Sequence, residues 1–556
     1  MKRRNETVNA YLKMCLEGKR HHLFLLSLIQ IILGVLGVGF AFILRYVIRG
    51  LSSLDKDLFL LYFFLMLGIS VLIVILQSLY RYLYEVAESD IENSLKRRLF
   101  ASLLHSEYEE VKKTHDEDWI HRLSNDTNVV SSAILSILPS LFRMGVQLIV
   151  ACVAIAILSS GFMLILLPCI ALLLLFTYFL RKRLKKLHKD VQEADGRLKV
   201  FFAESLEGLS VIASFVKEDL AAKEGERRME EHKRAKIRRT SFQNLCAISF
   251  LLVYYLTYLL ALFMCGRSIL KGEMDIATLA SLLALLSQIQ GPLGNITNVV
   301  PRYYSMLASA ERLSSVKAEE GDSLSPKEAR LYYDEEFESI VFENVSFSYK
   351  DKDGRDVLVM DHFSYEIKKG ECLSISGPSG IGKSTIIALL LGLYKPMAGH
   401  IILRGRNGDE ELAPSYRSLV SYVPQNNLLF QGKIEQIVTF FDPIIDEKKL
   451  SASLESAGAK EFVDKLEQGV KTDLKEHGTG LSLGEMQRLA IARALYHDAP
   501  IILLDEATSS LDEENEAKVL DNLSSLKNKT IIFISHHKAV TSFADKELAF
   551  NGGEHE

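Results

Sequence analysis

Cysteine is scarce in this chain: six in 556 residues, Cys15, Cys152, Cys169, Cys246, Cys265 and Cys372. They are scattered, with no metal-ligand spacing and no paired framework. A cysteine-held metal centre and a disulfide-stapled secreted domain are therefore excluded. A strong excess of one charge is missing as well. The 65 Lys and Arg against 70 Asp and Glu leave a net charge of −5, and nothing in that balance points to nucleic acid. What the chain does have is apolar residues, 48% of the total, and they are unevenly spread.

A helix that crosses a bilayer needs roughly 20 mostly apolar residues. Six stretches qualify: about 22–48, 58–84, 134–158, 162–181, 241–265 and 276–300. The basic start, Met1-Lys2-Arg3-Arg4, would suit a signal peptide. The apolar run behind it is too long for one, and five more follow. No acidic side chain lies at the centre of any of the six. Neutral polar ones do: Gln30, Gln77, Gln147, Gln288, Gln290, Asn295 and Asn298, with Tyr254, Tyr255 and Tyr258 in the fifth. Such groups either line a pathway or hydrogen-bond between helices, and both readings stand. Should the spans line a pathway, the missing acids suit an amphipathic, lipid-like, drug-like or peptidic molecule better than a bare cation. Gly291-Pro292 is expected to break the sixth helical ladder locally.

The connections alternate. Stretches 50–57, 159–161 and 266–275 are short, whereas 85–133 and 182–240 are long, charged and helical in pattern. The long ones and their flanks carry Lys96, Arg97, Arg98, Arg181, Lys182, Arg183, Lys185 and Lys186. The positive-inside rule places both, and the N-terminus, in the cytoplasm. Residues 314–338 are polar and acidic and read as a connector. The organisation expected is a membrane domain over 1–313, a linker over 314–338 and a second domain over 339–556.

That second domain carries the chemistry. Gly377-Pro378-Ser379-Gly380-Ile381-Gly382-Lys383-Ser384-Thr385 is a phosphate-cradling loop. Its glycines let backbone N–H groups turn inward around an anion. Cys372–Ile375 reads as the strand before it and Ser384–Leu393 as the helix after it, whose N-terminal dipole favours phosphate. Lys383 is placed for the β- and γ-phosphates of ATP, and the Ser384 hydroxyl for magnesium. Glycine makes up about 7% of residues in general, so a chance match is expected only on the order of hundredths per chain. Ile501–Leu504 reads as a fully buried strand ending in Asp505 and Glu506, at the edge where open α/β sheets place ligands. Asp505 suits magnesium, and Glu506 suits polarising the attacking water. Ile531–Ile534 is a second buried strand, ending at Ser535, His536 and His537.

With Leu481-Ser482-Leu483-Gly484-Glu485-Met486-Gln487-Arg488, the chain resembles the ATP-binding cassette exporters of the half-transporter type along nearly its whole length. The resemblance implies an α-helical six-span transmembrane domain joined to an α/β P-loop ATPase domain, with ATP and magnesium as cofactors. It implies that Tyr349 stacks on adenine and that Gln425 touches magnesium. His536 would be the switch histidine at the γ-phosphate, and Glu476 would belong to a loop that senses the partner. Ser482 and Gly484 would complete the ATP site of a second chain, and Asp512 would cross that interface. Leu483 and Glu485 depart from the usual Leu-Ser-Gly-Gly-Gln. Coupling helices are expected near 107–118 and 207–217. The partners implied are membrane lipid and a second half-transporter: a homodimer is favoured because Glu506 and His536 are both kept, and Leu483 leaves a heterodimer open. The setting implied is the cytoplasmic membrane with the ATPase in the cytoplasm. No peptidase-sized domain is expected before the first span, and the family's last helices are expected to be short.

Overall fold

A computed structural model describes residues 10–114, 116–316, 325–350, 355–378, 380–426, 429–475, 478, 480–526, 528–535 and 538–550. Packing divides the chain into two units. One comprises Met1–His105 with Thr114–Ala318, and the other Ser106–Lys113 with Glu319–Glu556.

The first unit is helical. Its long elements are α1 (Arg20–Ser52) and α2 (Lys56–Leu104). The short α3 (Tyr108–Lys112) follows but packs with the second unit. A π-turn over Arg122–Asp126 leads into α4 (Thr127–Leu158). Then come α5 (Ser160–Glu207), the short α6 (Leu209–Ser214), α7 (Glu218–Leu270) and α8 (Ile276–Ser314). Each of the six apolar stretches falls inside one long helix. Among the described residues, Arg20–Ser52, Lys56–Leu104, Asp116–Leu158 and Glu218–Leu270 are long and apolar enough to cross a membrane, and Ile276–Pro292 is a shorter apolar helix.

The 49 residues of α2 span roughly 73 Å at 1.5 Å per residue, far more than a hydrocarbon core of roughly 30 Å. The charged half that sequence placed in a cytoplasmic loop is thus the same helix running on. The tight ends are polar caps. Asp55 accepts from the backbone of Asp57 and Leu58 to start α2, and Asp275 accepts from Thr278 to start α8. At the α1–α2 hairpin the backbones nearly touch: a Cβ on Gly50 would sit 2.7 Å from the Phe59 nitrogen. Helix α8 runs on through Pro292 and Pro301, so the expected break at Gly291-Pro292 is absent. A proline removes one donor, and the bonds on either side hold the helix together.

The second unit is α/β. Helix α9 (Pro326–Glu335) opens it with a capping box between Ser325 and Glu328. Ala329 and Tyr333 on α9 join the core beside Phe337, so part of the 314–338 stretch is folded into the α/β unit. An antiparallel sheet is built from β1 (Phe337–Lys350), β2 (Asp356–Lys368), β4 (Ala398–Gly405) and β5 (Asp409–Glu411), in the order β2-β1-β4-β5. A parallel sheet contains β3 (Cys372–Ser376), β6 (Val420–Val423), β7 (Ile501–Asp505), β8 (Thr530–Ile534) and β9 (Lys546–Ala549). Its order is β9-β3-β8-β7-β6. Strands β7 and β8 are buried at every position, as four-residue aliphatic runs require when both faces are covered. Helix α10 (Lys383–Leu390) follows β3, α11 (Leu483–His497) precedes β7, and α12 (Glu513–Ser524) follows it. The C-terminal ends of β3, β7 and β8 lie at one edge of the sheet, since all three run parallel in neighbouring register.

Candidate functional site

At that edge the loop after β3 closes on itself. Gly377 has φ +147°, and a Cβ there would sit 2.5 Å from the Phe550 carbonyl oxygen. Gly382 has φ +114°, with Val359 Cγ1 2.5 Å from a built Cβ. Neither position admits a side chain. Gly380 is also in the left-handed region. The Lys383 ammonium is nearly buried and donates to the carbonyls of Gly377 (2.6 Å) and Pro378 (3.0 Å), so it is held over the mouth of the loop. Thr385 is buried on the first turn of α10, whereas Ser384 faces solvent.

Asp505 is 4% exposed at the end of β7. Burial raises its carboxyl above the usual carboxylate range, and the adjacent Glu506 adds to this. A hydrogen bond from Ser384 and the charge of Lys383 pull the other way. A buried acid beside one hydroxyl and one ammonium suits a cation, because ionisation without one is opposed by desolvation. Glu506 follows in the left-handed region, φ 49°, which strains a residue other than glycine. Its backbone N–H donates to the Ile534 carbonyl at 2.9 Å, tying β7 to β8. Its carboxylate accepts from Gln425 Nε2 at 2.6 Å. Lys383, Ser384, Gln425, Asp505 and Glu506 are thus brought to one edge from three segments far apart in sequence.

Tyr349, half-buried on β1, places its hydroxyl 3.2 Å from Thr385 Oγ1. Its ring meets Phe347 and Tyr394 edge to face, with centroids 4.9 and 5.4 Å away. Ser482 caps α11: its N–H donates to Glu485 Oε2 at 2.7 Å and its hydroxyl to the same oxygen at 2.8 Å. Gly484 lies against the loop after Glu506, where a Cβ would approach the Ser510 carbonyl oxygen to 3.0 Å. Asp512 caps α12 through the Asn515 N–H at 2.8 Å. Ser379, Glu476 and His536 lie outside the described residues.

Sequence reasoning passed over Gln487. It is 1% exposed and bridges α11 to that loop, donating to the Glu506 carbonyl at 3.4 Å and the Ser509 hydroxyl at 3.3 Å. It also accepts from the Ser510 N–H at 3.0 Å.

The helical unit holds a cavity of about 420 Å³ between α1, α4 and α8. Gln30, Ser140, Arg143, Gln147, Pro292 and Arg302 line it, and no acidic side chain does so among the described residues. Arg143 donates to Gln30 Oε1 at 3.2 Å, and Gln147 Nε2 to Gln288 Oε1 at 2.7 Å. Arg143 falls inside the third apolar stretch and was not singled out from sequence.

Comparison with known proteins agrees with both halves. The ABC transporter transmembrane region family matches residues 23–293, and the ABC transporter family matches 360–509. An ATP-dependent lipid A-core flippase of Haemophilus ducreyi is 29% identical over 473 residues, 83% of this chain and 79% of that protein. A mycobactin import ATP-binding/permease protein of Mycolicibacterium smegmatis is 33% identical over 284 residues, 51% of this chain and 48% of that protein. The chain spans about half the length of some curated relatives it matches and about four fifths of others. A bacterial Atm1-family ABC exporter, solved with ATP bound, shares the fold with a TM-score of 0.78 at 22% identity, over 98% of this chain and 94% of that one. The chain belongs to the ATP-binding cassette transporters: it is a half-transporter of the exporter fold, a multi-pass membrane protein with a nucleotide-binding ATPase on the same polypeptide.

Proposed function

We propose that this chain pairs with a second copy of itself and uses ATP hydrolysis to export an amphipathic anion across the cytoplasmic membrane. The observation that carries the substrate class is the cavity with Arg143 and Arg302 and, among the described residues, no acidic side chain. Guanidinium groups in a low-dielectric wall recognise carboxylate or phosphate. The apolar helices around them suit a lipid-like tail. At the ATPase, Lys383 and the backbone of 377–382 hold the phosphates, and Tyr349 the base. Ser384, Gln425 and Asp505 hold magnesium, which neutralises phosphate charge when bound. Glu506, oriented by Gln425, takes the proton of the attacking water. His536 contacts the γ-phosphate. Ser482, Gly484 and Asp512 serve the partner's site. The ATPase domain, taken as 339–556, faces the cytoplasm. A second reading, uptake, draws on the mycobactin import relative.

The test is expression of the chain alone, followed by ATPase measurement in nanodiscs and flux in sealed vesicles of known orientation. A hydrolysing dimer, stimulated by a long-chain alkyl phosphate but not by a neutral alkyl glucoside, is expected. Stimulation should fall at least about tenfold in Arg143→Gln, the scale of one charged hydrogen bond. An inactive monomer rescued by another half-transporter would defeat the homodimer. Flux toward the ATPase side would establish uptake. Equal stimulation by both amphiphiles would remove the anion.

A further inference from the structure

Tyr394 is not part of any motif read from the sequence, yet it sits where three elements meet. It lies four residues beyond the end of α10. Its ring is edge to face with Tyr349 (5.4 Å, 88°), with Phe347 (5.5 Å, 60°) and with Tyr108 on α3 (5.7 Å, 87°). The next residue, Lys395, holds Glu107 at the start of α3 with Nζ 2.6 Å from Oε1. Burial, then the neighbouring Tyr349, Tyr108 and Glu109, push the Tyr394 phenol up to about 12. It therefore stays neutral, and its contacts are those of a ring.

Helix α10 between these groups is short and firmly seated. Ile386, Ile387, Leu389 and Leu390 are all at most 4% exposed. The phosphate loop feeds its first turn, and its exit carries Tyr394 and Lys395. Tyr349 reaches both ends of this segment, with its hydroxyl on Thr385 at the first turn of α10 and its ring on Tyr394 beyond the last. Tyr349 lies on β1 beyond Ser346, the last residue paired to β4, and its ring alone would be free to rotate about χ1. With Phe347 and Tyr394 meeting it edge to face, its ring plane is fixed.

We propose that Tyr394 is a positioning residue for nucleotide binding, which fixes the plane of Tyr349 for the base and links that plane to Tyr108 on α3. The proposal rests on Tyr349 being the base-facing residue. Linkage is reciprocal: if nucleotide shifts the Tyr394 contacts, then a change on α3 must shift nucleotide affinity by the same factor. An edge-to-face pair contributes enough to change an equilibrium about two- to tenfold.

The test uses the full chain in nanodiscs, with ATPase kinetics and binding of a fluorescent ATP analogue. In Tyr394→Leu the KM for ATP should rise about two- to tenfold with kcat kept within about twofold. Tyr394→Phe keeps the ring and should restore the parent KM. Tyr108→Leu, placed outside the ATPase sheet, should raise KM in the same direction, and the double variant should be no worse than Tyr394→Leu alone. That non-additivity is what a purely structural role would not give, and Tyr108→Leu decides the matter should Tyr394→Leu fail to fold. If Tyr349→Ala raises KM while Tyr394→Leu and Tyr108→Leu leave it unchanged, Tyr394 has no such role. If Tyr349→Ala also leaves KM unchanged, the base is held elsewhere and both readings fall.

Discussion

Removing Arg312 should destabilise the helical unit more than any exposed salt bridge would. Asp126, the last residue of the π-turn before α4, has a fully buried side chain (0%). It accepts from Arg312 Nε at 2.7 Å and from the other guanidinium arm at 2.6 Å, and from the Ser309 hydroxyl at 2.8 Å. The pair joins the two places where the chain passes toward the second unit: α4 follows α3, and α8 precedes the connector. Leaving one partner of a buried pair uncompensated costs about 3–5 kcal/mol. The Arg312 side chain is 46% exposed, so part of its desolvation was never incurred, and about 2–4 kcal/mol is expected for Arg312→Ala. At about 2 °C per kcal/mol for a domain of this size, the melting temperature should fall by about 4–8 °C.

The chain supplies its own probe. It has one tryptophan, Trp119, with the Arg122 guanidinium 4.4 Å above its ring, and Arg122 also reaches the Arg312 carbonyl at 3.4 Å. Trp119 fluorescence in nanodiscs therefore reports on this joint. Arg312→Lys should fall between the parent and Arg312→Ala, because it keeps the charge and loses the bidentate fork. Replacing both Asp126 and Arg312 by Leu should recover at least half the loss, since no orphaned charge remains. A melting temperature for Arg312→Ala within 1 °C of the parent would refute the reasoning, as would a double variant worse than either single one.

Two further outcomes follow from the ATP site. Glu506→Gln should bind ATP with little change and hydrolyse it at least about 100-fold more slowly, the low end of what a positioned base contributes; near-normal turnover of the purified variant would remove Glu506 from that role. Asp505→Asn should abolish magnesium-dependent hydrolysis yet raise the melting temperature of the nucleotide-free protein at neutral pH. Burial holds the Asp505 carboxyl above its ordinary value of 3.8, so its favourable contribution is full below the ordinary carboxylate range and is lost as pH rises through the raised value. The gap between variant and parent should then close in acid, and a gap that is constant or reversed across pH would contradict the assignment.

The catalytic edge was legible because its chemistry is local. A glycine loop, two aliphatic strands and the acids at a strand end are each defined by fewer than ten consecutive residues. Even so, α10 stops at Leu390 rather than at Leu393, where Gly392 takes φ 59°; a glycine preceded by apolar residues gives little warning of a stop. What the sequence hid is juxtaposition. Arg143 stands in an apolar stretch and is indistinguishable there from an arginine that snorkels to the interface. Only Gln30 and Arg302, on other helices, mark it as lining a cavity. Tyr394, Gln487 and the Asp126–Arg312 pair are equally invisible, because each depends on partners tens to hundreds of positions away.

The atypical signature shows how far a motif can vary before its physics fails. Two demands inside the chain fall on Leu481–Arg488. The N-terminus of α11 needs a cap, and its first turn must lie close to the loop after Glu506. Ser482 meets the first with Glu485, whose carboxylate accepts both the N–H and the hydroxyl of Ser482. Glutamate at this position is thus a full capping-box partner, and it adds negative charge where the helix dipole favours it. Gly484 meets the second, because a Cβ there would press on the Ser510 carbonyl oxygen at 3.0 Å. Gln487, the next inward-facing residue, then fastens the same loop. Leu483 is subject to neither demand, and it is 53% exposed. Of the two departures, Glu485 still meets the capping demand and Leu483 falls where the fold of a single chain is indifferent, whereas the retained Ser482 and Gly484 fall where it is not. Whatever Leu483 alters must be felt by a surface that meets this one from another molecule.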